Sequence, residues 1–199
     1  KKQIVLPKAL ISAGESLFIP SSLAGIVTST GDEAKIAYES ASTIFGSGSV
    51  VLTETLPASG LSITFPISPM TLLDDDFYNI LLWADNYSNY GNIEIKFGAD
   101  TNFYSYYGKT LKSQINTKSS EWNNIAFKFS DMTKTGTITT GTAINYIQIL
   151  VYGAASKLLN VKFGGIKKGM KPRTAITFSF DDINQTDYTV AFQKLKSVG

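Results

Sequence analysis

The sequence predicts an all-β protein, an antiparallel jelly-roll β-sandwich, from three observations. Short segments between Ala34 and Ile166 alternate apolar with polar residues, which is the period of a strand that buries one face. About eight such segments follow one another at roughly 10 to 15 residues, with Gly and Pro near their boundaries. No stretch in this range has the helical period of about 3.6 residues. The strands are therefore expected to pair with each other in two sheets.

The predicted strands begin after an irregular amino-terminal segment. Residues 1–33 contain Pro7, Pro20 and Gly25 without regular alternation, so we interpret them as a connector or as short docking strands. In the segments at residues 93–97 and 125–129, three apolar side chains alternate with other residues and so point to one side, as in half-buried strands. The segments at residues 143–152 and 158–166 are more continuously apolar, which is typical of central strands in a sandwich. In chain order, the predicted strands cover residues 49–54, 61–67, 77–85, 93–97, 125–129, 143–152 and 158–166.

Composition and charge exclude several classes of function. The 18 basic and 16 acidic side chains leave a net charge of +2, without long basic runs, so nucleic acid is not an expected partner. No apolar stretch approaches the length that spans a membrane. The chain has no cysteine and no histidine, which removes thiolate metal ligands, the commonest zinc ligand and the commonest general base. A hydrolytic site within this chain would be incomplete or built from carboxylates alone.

A second unit is predicted after a short basic hinge. Residues 167–173 interrupt the apolar pattern, residues 174–180 have the pattern of a strand, and residues 188–198 carry apolar side chains at the spacing of one helix face. Strand, acidic turn and helix are the opening of a β/α domain. We expect both ends of the chain to be cut from a longer protein. The predicted division is a connector at residues 1–33, a jelly-roll module at 34–168 and the incomplete start of a β/α barrel domain at 169–199.

The most informative motif is Ser179-Phe180-Asp181-Asp182, at the end of the predicted strand. With its hinge and helix it resembles the first motif of the NodB-type polysaccharide deacetylases, which are carbohydrate esterase family 4-like enzymes. The resemblance implies that Asp181 is the general base and that Asp182 is a ligand of a divalent metal, expected to be zinc in the complete protein. Adjacent residues on a strand point to opposite sides, so one carboxylate can bind the metal while its neighbour faces the attacking water.

Two departures limit what this motif implies. The family usually has Gly directly after the two acids, where this sequence has Ile183. The paired metal-binding histidines and the later motifs of the family are missing, and the resemblance covers only residues 173–199. We therefore predict that this chain alone binds no metal at the catalytic position and deacetylates nothing. Its parent protein would remove N-acetyl groups from a cell-wall or surface glycan.

Aromatic residues in the sandwich point to sugar binding. This region resembles the carbohydrate-binding jelly rolls that precede deacetylase domains, notably in the turn into a strand at residues 121–125. Tyrosine rings stack on sugar faces, and neighbouring Asn side chains can bind hydroxyl groups. Trp83 ends an apolar strand and Trp122 begins one, so we assign both to core packing. The glycan contacts are expected among Tyr87, Tyr90, Tyr104, Tyr106 and Tyr107.

Two choices stay open from the sequence. Asp74-Asp75-Asp76 is either a structural calcium site or a solvated acidic loop. In the first functional hypothesis, the sandwich positions a deacetylase on a polysaccharide or peptidoglycan-type glycan. In the second, the chain is a non-catalytic glycan-binding or adhesion module of a phage tail or cell-surface protein. Both hypotheses place the protein outside the cytoplasm, at a cell surface or on a virion.

Overall fold

The computed structural model describes residues 14–28, 35–41, 43, 45–46, 48–54, 60–86, 89–111, 121–153 and 158–169. All of them lie within the unit Lys8–Lys171. Lys1–Pro7 and Pro172–Gly199 make up a second unit, which lies outside the described residues. The predicted strand at residues 174–180, Asp181 and Asp182 are therefore not described.

Twelve strands among the described residues form two antiparallel sheets. The strands are β1 (Glu15–Phe18), β2 (Val27–Thr28), β3 (Ile36–Glu39), β4 (Ser49–Glu54), β5 (Leu61–Met70), β6 (Phe77–Ala84), β7 (Tyr90–Gly98), β8 (Tyr106–Thr110), β9 (Trp122–Lys128), β10 (Thr133–Thr135), β11 (Ile144–Gly153) and β12 (Leu159–Lys168). A short 3-10 helix, Phe129–Asp131, follows β9. No helix in this part of the chain is long and apolar enough to cross a membrane.

Each sheet has six strands. The first sheet has the order β3-β4-β12-β6-β9, and β1 also pairs with β12. Along one edge of β12, β4 pairs with residues 159–163 and β1 pairs with residues 166–168. β6 pairs with the other edge of β12. The second sheet has the order β10-β8-β7-β11-β5-β2.

The core lies between the two sheets. On β7, Ile93, Ile95 and Phe97 are fully buried, and they alternate with polar residues as the two-residue period requires. Phe65 of the second sheet and Phe163 of the first stack across the interior with ring centroids 5.2 Å apart. Burial of alternate side chains on facing sheets is what stabilises a sandwich.

The β-sandwich prediction is confirmed, and each of the seven predicted segments overlaps a strand. The structure adds β1, β2, β3, β8 and β10. β8 was not predicted because Gly108 interrupts its alternation, and β10 consists of three exposed polar residues. These short strands are defined by their partners in the sheets rather than by their own sequence.

The assignment of Trp83 and Trp122 to the core is wrong. The core residues of β6 include Ile80 and Leu82, so Trp83 has the opposite phase and points away from the core. Trp122 is the direct cross-strand partner of Trp83 and shares its side of the sheet. Both indoles are half-buried on the outer face of the first sheet.

Candidate functional site

The outer face of the second sheet carries the side chains that alternate with its core residues. On β11, Ile147, Ile149 and Val151 point inward, so the residues between them point outward. Residues directly opposite each other on neighbouring strands point to the same side, so the pairing identifies the outward residues of β5, β7 and β8. We call this surface the second-sheet face; it comprises Thr64, Pro66, Asn92, Glu94, Lys96, Tyr106, Tyr146, Gln148, Leu150 and Tyr152.

Two tyrosines lie in one row across this face. Tyr106 of β8 is opposite Gly98 of β7, which is opposite Tyr146 of β11. The next row places Lys96 opposite Gln148, whose Nε2 donates to Thr64 Oγ1 at 3.2 Å. Rings and amide or hydroxyl groups therefore alternate on the same surface.

A charged pair is fixed beside Tyr106. Lys96 Nζ lies 4.6 Å from the Tyr106 ring centroid and 3.8 Å from Glu94 Oε2. The two charged side chains are only 13% and 19% exposed, so the ion pair is held within the surface. Glu94 also borders a depression of about 250 Å³, which is lined by Glu94, Gly108, Lys109, Thr110, Asp131 and Thr133.

Two small residues of β5 contribute little accessible surface to the second-sheet face. Ser62 and Thr64 point outward, yet they are only 6% and 5% exposed. Their cross-strand neighbours include Leu150 on β11 and Val27 on β2, which are larger.

The loop between β7 and β8 is fixed at one end of this face. Phe103 has a φ of 50°, which is an outlier for a bulky residue, and its ring packs on Gly98. Asp100 Oδ1 accepts the backbone N–H of Phe103 at 3.2 Å, and Ser105 Oγ accepts the N–H of Thr137 at 3.0 Å. In this fixed loop Tyr104 is 81% exposed, which is unusual for a large aromatic side chain.

The structure separates the predicted tyrosines into different environments. Tyr104 and Tyr106 are at the surface, as a sugar contact requires. Tyr90 and Tyr107 are buried, so the prediction that they contact a glycan is corrected. The Tyr90 hydroxyl donates to Asp85 Oδ1 at 2.6 Å and accepts the Asn160 N–H at 2.9 Å, while the Tyr107 ring packs edge-on against Phe129. Tyr87 lies outside the described residues.

Sequence reasoning missed Tyr146, Gln148 and Tyr152. The signal was present, because these residues have the phase opposite to Ile147 and Ile149 in a segment predicted as a strand. Because residues 143–152 were interpreted as continuously apolar, the alternation of inward and outward side chains was overlooked.

The acidic loop at residues 74–76 is anchored through Asp76. Its Oδ2 accepts the Leu73 N–H at 2.9 Å and the Tyr78 hydroxyl at 3.1 Å, and it pairs with Lys168 Nζ at 2.9 Å. Burial, and then the charge and hydrogen bond of Asp76, raise the pKa of the Tyr78 phenol above its usual value. Asp74 and Asp75 are exposed. No group of three or more acidic side chains in the described ranges is arranged to hold a metal.

The fold is shared with solved carbohydrate-binding modules. A family 11 module from Clostridium thermocellum, in complex with a β-1,3-1,4-mixed-linked tetrasaccharide, has a TM-score of 0.55 at 13% identity, covering 79% of this chain and 95% of that chain. A family 30 module has a TM-score of 0.56 at 11% identity, covering 78% and 97%. A family 30 module of a Clostridium thermocellum cellulosomal cellulase has a TM-score of 0.54 at 10% identity, covering 79% and 98%. These identities show the fold alone.

The comparisons give the deacetylase resemblance no support. No protein-family model matches the chain, and no curated protein matches it. The similar structures are β-sandwich modules, and none of those named here is a deacetylase. The resemblance therefore depends on residues 173–199 alone, which lie outside the described residues.

Proposed function

We propose that this chain is a non-catalytic carbohydrate-binding module that holds an uncharged polysaccharide chain on its second-sheet face. The observation that carries the proposal is the pair Tyr106 and Tyr146, placed on either side of Gly98 in one row. Pyranose rings present flat C–H faces that stack on such phenol rings. The similarity in fold to carbohydrate-binding modules supports the same conclusion.

Polar groups beside the tyrosines supply the hydroxyl partners. Gln148 stands in the next row, where its bond to the buried Thr64 fixes its amide, and Glu94 offers carboxylate oxygens at the edge of the depression. Such groups fix the orientation of a ligand whose apolar faces are stacked.

The electrostatics of this face favour a neutral ligand. Lys96 and Glu94 neutralise each other at 3.8 Å, and Lys109 lies with Asp131 in the lining of the depression. A uronic acid or sulfated glycan would find the charge of Lys96, the cation over the Tyr106 ring, already opposed by Glu94. An unsubstituted neutral glucan is therefore a better ligand than an acidic polysaccharide.

The proposed role corresponds to the second hypothesis from the sequence, a glycan-binding module of a cell-surface or virion-associated protein. Among the described residues, no group of three or more acidic side chains could hold a metal ion. A role in deacetylation would depend on Asp181, Asp182 and the rest of a parent protein.

Calorimetric titration tests the proposal. Suitable ligands are a mixed-linked β-glucan tetrasaccharide, cellohexaose, a chitin oligomer and an oligogalacturonate as the acidic comparison. Tyr146→Ala is expected to weaken binding of the preferred neutral oligosaccharide by about 1–2 kcal/mol, or roughly 5- to 30-fold, because a stacking ring is removed. Tyr38→Ala, on the first sheet, is the control of the same residue type and should leave affinity unchanged. Equal affinities of the two variants would exclude the second-sheet face as the site.

A further inference from the structure

We propose that the outer face of the first sheet is a second glycan-contact surface, built on Trp83 and Trp122. We call it the first-sheet face; it comprises Glu39, Trp83, Trp122, Asn124 and Lys162. The proposal rests on the proposed function for the class of its ligand, while its residues are independent of the second-sheet face. The two surfaces lie on opposite sides of the sandwich because they belong to different sheets.

The two indoles are neighbours that point away from the core. Trp83 and Trp122 are direct cross-strand partners in the β6–β9 pairing. Directly opposite residues in an antiparallel pair have Cβ atoms about 4.5–5.5 Å apart, so the two side chains leave the sheet next to each other. Both remain half-buried rather than enclosed.

Gly164 of β12 leaves room for the Trp122 ring. A Cβ on Gly164 would stand 3.0 Å from Trp122 Cζ3 and 2.7 Å from Leu81 Cδ2. The indole therefore reaches from β9 across β6 to β12. Leu81 also points outward, and it is fully buried. A side chain at position 164 would displace the indole, the leucine or both.

Lys162 holds the second ring and balances the charge. Its Nζ lies 4.9 Å from the Trp83 ring centroid and 2.6 Å from Glu39 Oε2. The ion pair cancels both charges, and the cation–π contact restrains the indole. The result is a pre-organised and locally neutral platform with an exposed amide, Asn124, in the next row.

The surroundings of the rings favour a glycan over a protein partner. A protein interface needs an apolar centre larger than two rings. The exposed large apolar residues in the described part of the chain lie outside β6 and β9, the strands that carry the two indoles; they are Val27, Leu73, Tyr104, Tyr152 and Leu158. Flat rings among polar side chains match a sugar, which has an apolar face and a hydroxyl rim.

Tryptophan fluorescence isolates this surface in the unmodified protein. The chain has two tryptophans, and both are on the first-sheet face, so selective tryptophan excitation reports on this face. Barley mixed-linked β-glucan and microcrystalline cellulose are the probes. The expected result is a shift of tryptophan emission with the soluble glucan and protection of the indoles from N-bromosuccinimide oxidation by either polysaccharide. Unchanged emission together with unprotected indoles would overturn the proposal.

Variants separate this surface from the second-sheet face. Tyr146→Ala should keep the emission shift, whereas Lys162→Met and Trp122→Ala should weaken the interaction that produces it, by about fivefold or more. Trp122→Phe keeps an aromatic ring at this position and should retain part of the response, which separates loss of contact from loss of folding. An emission shift abolished by Tyr146→Ala and retained in Lys162→Met would also contradict the proposal. A weaker calorimetric affinity for the oligosaccharide in Tyr146→Ala is a separate result that concerns only the proposed function.

Discussion

Gly98→Ala is predicted to destabilise the protein and to disturb the end of the second-sheet face. A Cβ at this position would lie 2.9 Å from two ring carbons of Phe103 and 3.4 Å from the Asp100 carbonyl oxygen. Carbon atoms pack best at about 3.5–4.0 Å, so the ring must move by about 0.6 Å or more. Phe103 has little freedom to do so, since its φ is 50° and Asp100 accepts its N–H.

The magnitude follows from two opposing effects. Overpacking costs about 1–3 kcal/mol, and replacing a glycine within a strand by alanine returns about 0.5–1 kcal/mol. Mid-range values of the two effects, about 2 and about 0.75 kcal/mol, leave a net loss in the free energy of unfolding of about 1 kcal/mol. Because Tyr104 and Tyr106 follow Phe103, glycan affinity should fall as well.

Urea unfolding measures the stability change, with an unchanged m-value showing that the unfolding reaction is the same. Gly141→Ala is the matched control, because no atom lies within 4 Å of a Cβ there. It should change stability by no more than about 0.5 kcal/mol. If both variants unfold at the same urea concentration as the unmodified chain, the Phe103 ring does not rest on Gly98 and the reasoning fails.

Three further perturbations test the packing and electrostatics. The raised pKa of Tyr78 means that the folded state keeps a proton that the unfolded state loses above about pH 10, so stability falls as pH rises beyond that point. In Tyr78→Phe, the urea midpoint should fall less steeply with pH above about pH 10 than in the unmodified chain. The same pH dependence in both proteins would contradict this. Asp76→Ala should lower stability by about 2–4 kcal/mol, since it leaves Lys168 half-buried without its partner; the exposed Asp75→Ala is the control and should be nearly neutral. Phe163→Ala should cost about 3–5 kcal/mol in thermal or urea unfolding, because the ring is fully buried, and a loss below about 1 kcal/mol would place it outside the core.

The fold was predictable because burial of one face imposes a two-residue period. Ile93, Ile95 and Phe97 show that period, and the structure buries all three. β8 and β10 were not predictable in this way, since β10 has no buried residue and is defined by its pairing with β8. Pairing partners distant in sequence leave no local signal.

The candidate site was predictable only in part. Residue type identified Tyr104 and Tyr106 as surface rings, but it could not distinguish them from Tyr90. The hydroxyl of Tyr90 is satisfied by Asn160, 70 positions along the chain, and such a partner is not visible in a local pattern. Trp83 was misassigned because its neighbour Leu82 is a core residue, and only the register of β6 shows which side each occupies.

The most direct test of the central claim is to map backbone amide shifts by NMR during titration with a mixed-linked β-glucan tetrasaccharide. The proposed function predicts saturable shifts at Glu94, Lys96, Tyr106, Tyr146 and Gln148, whose side chains share the second-sheet face. Ile95 and Ile147 should shift less, because their side chains point into the core. A titration that saturates while the resonances of β7, β8 and β11 stay unmoved would contradict the assignment of glycan binding to this face.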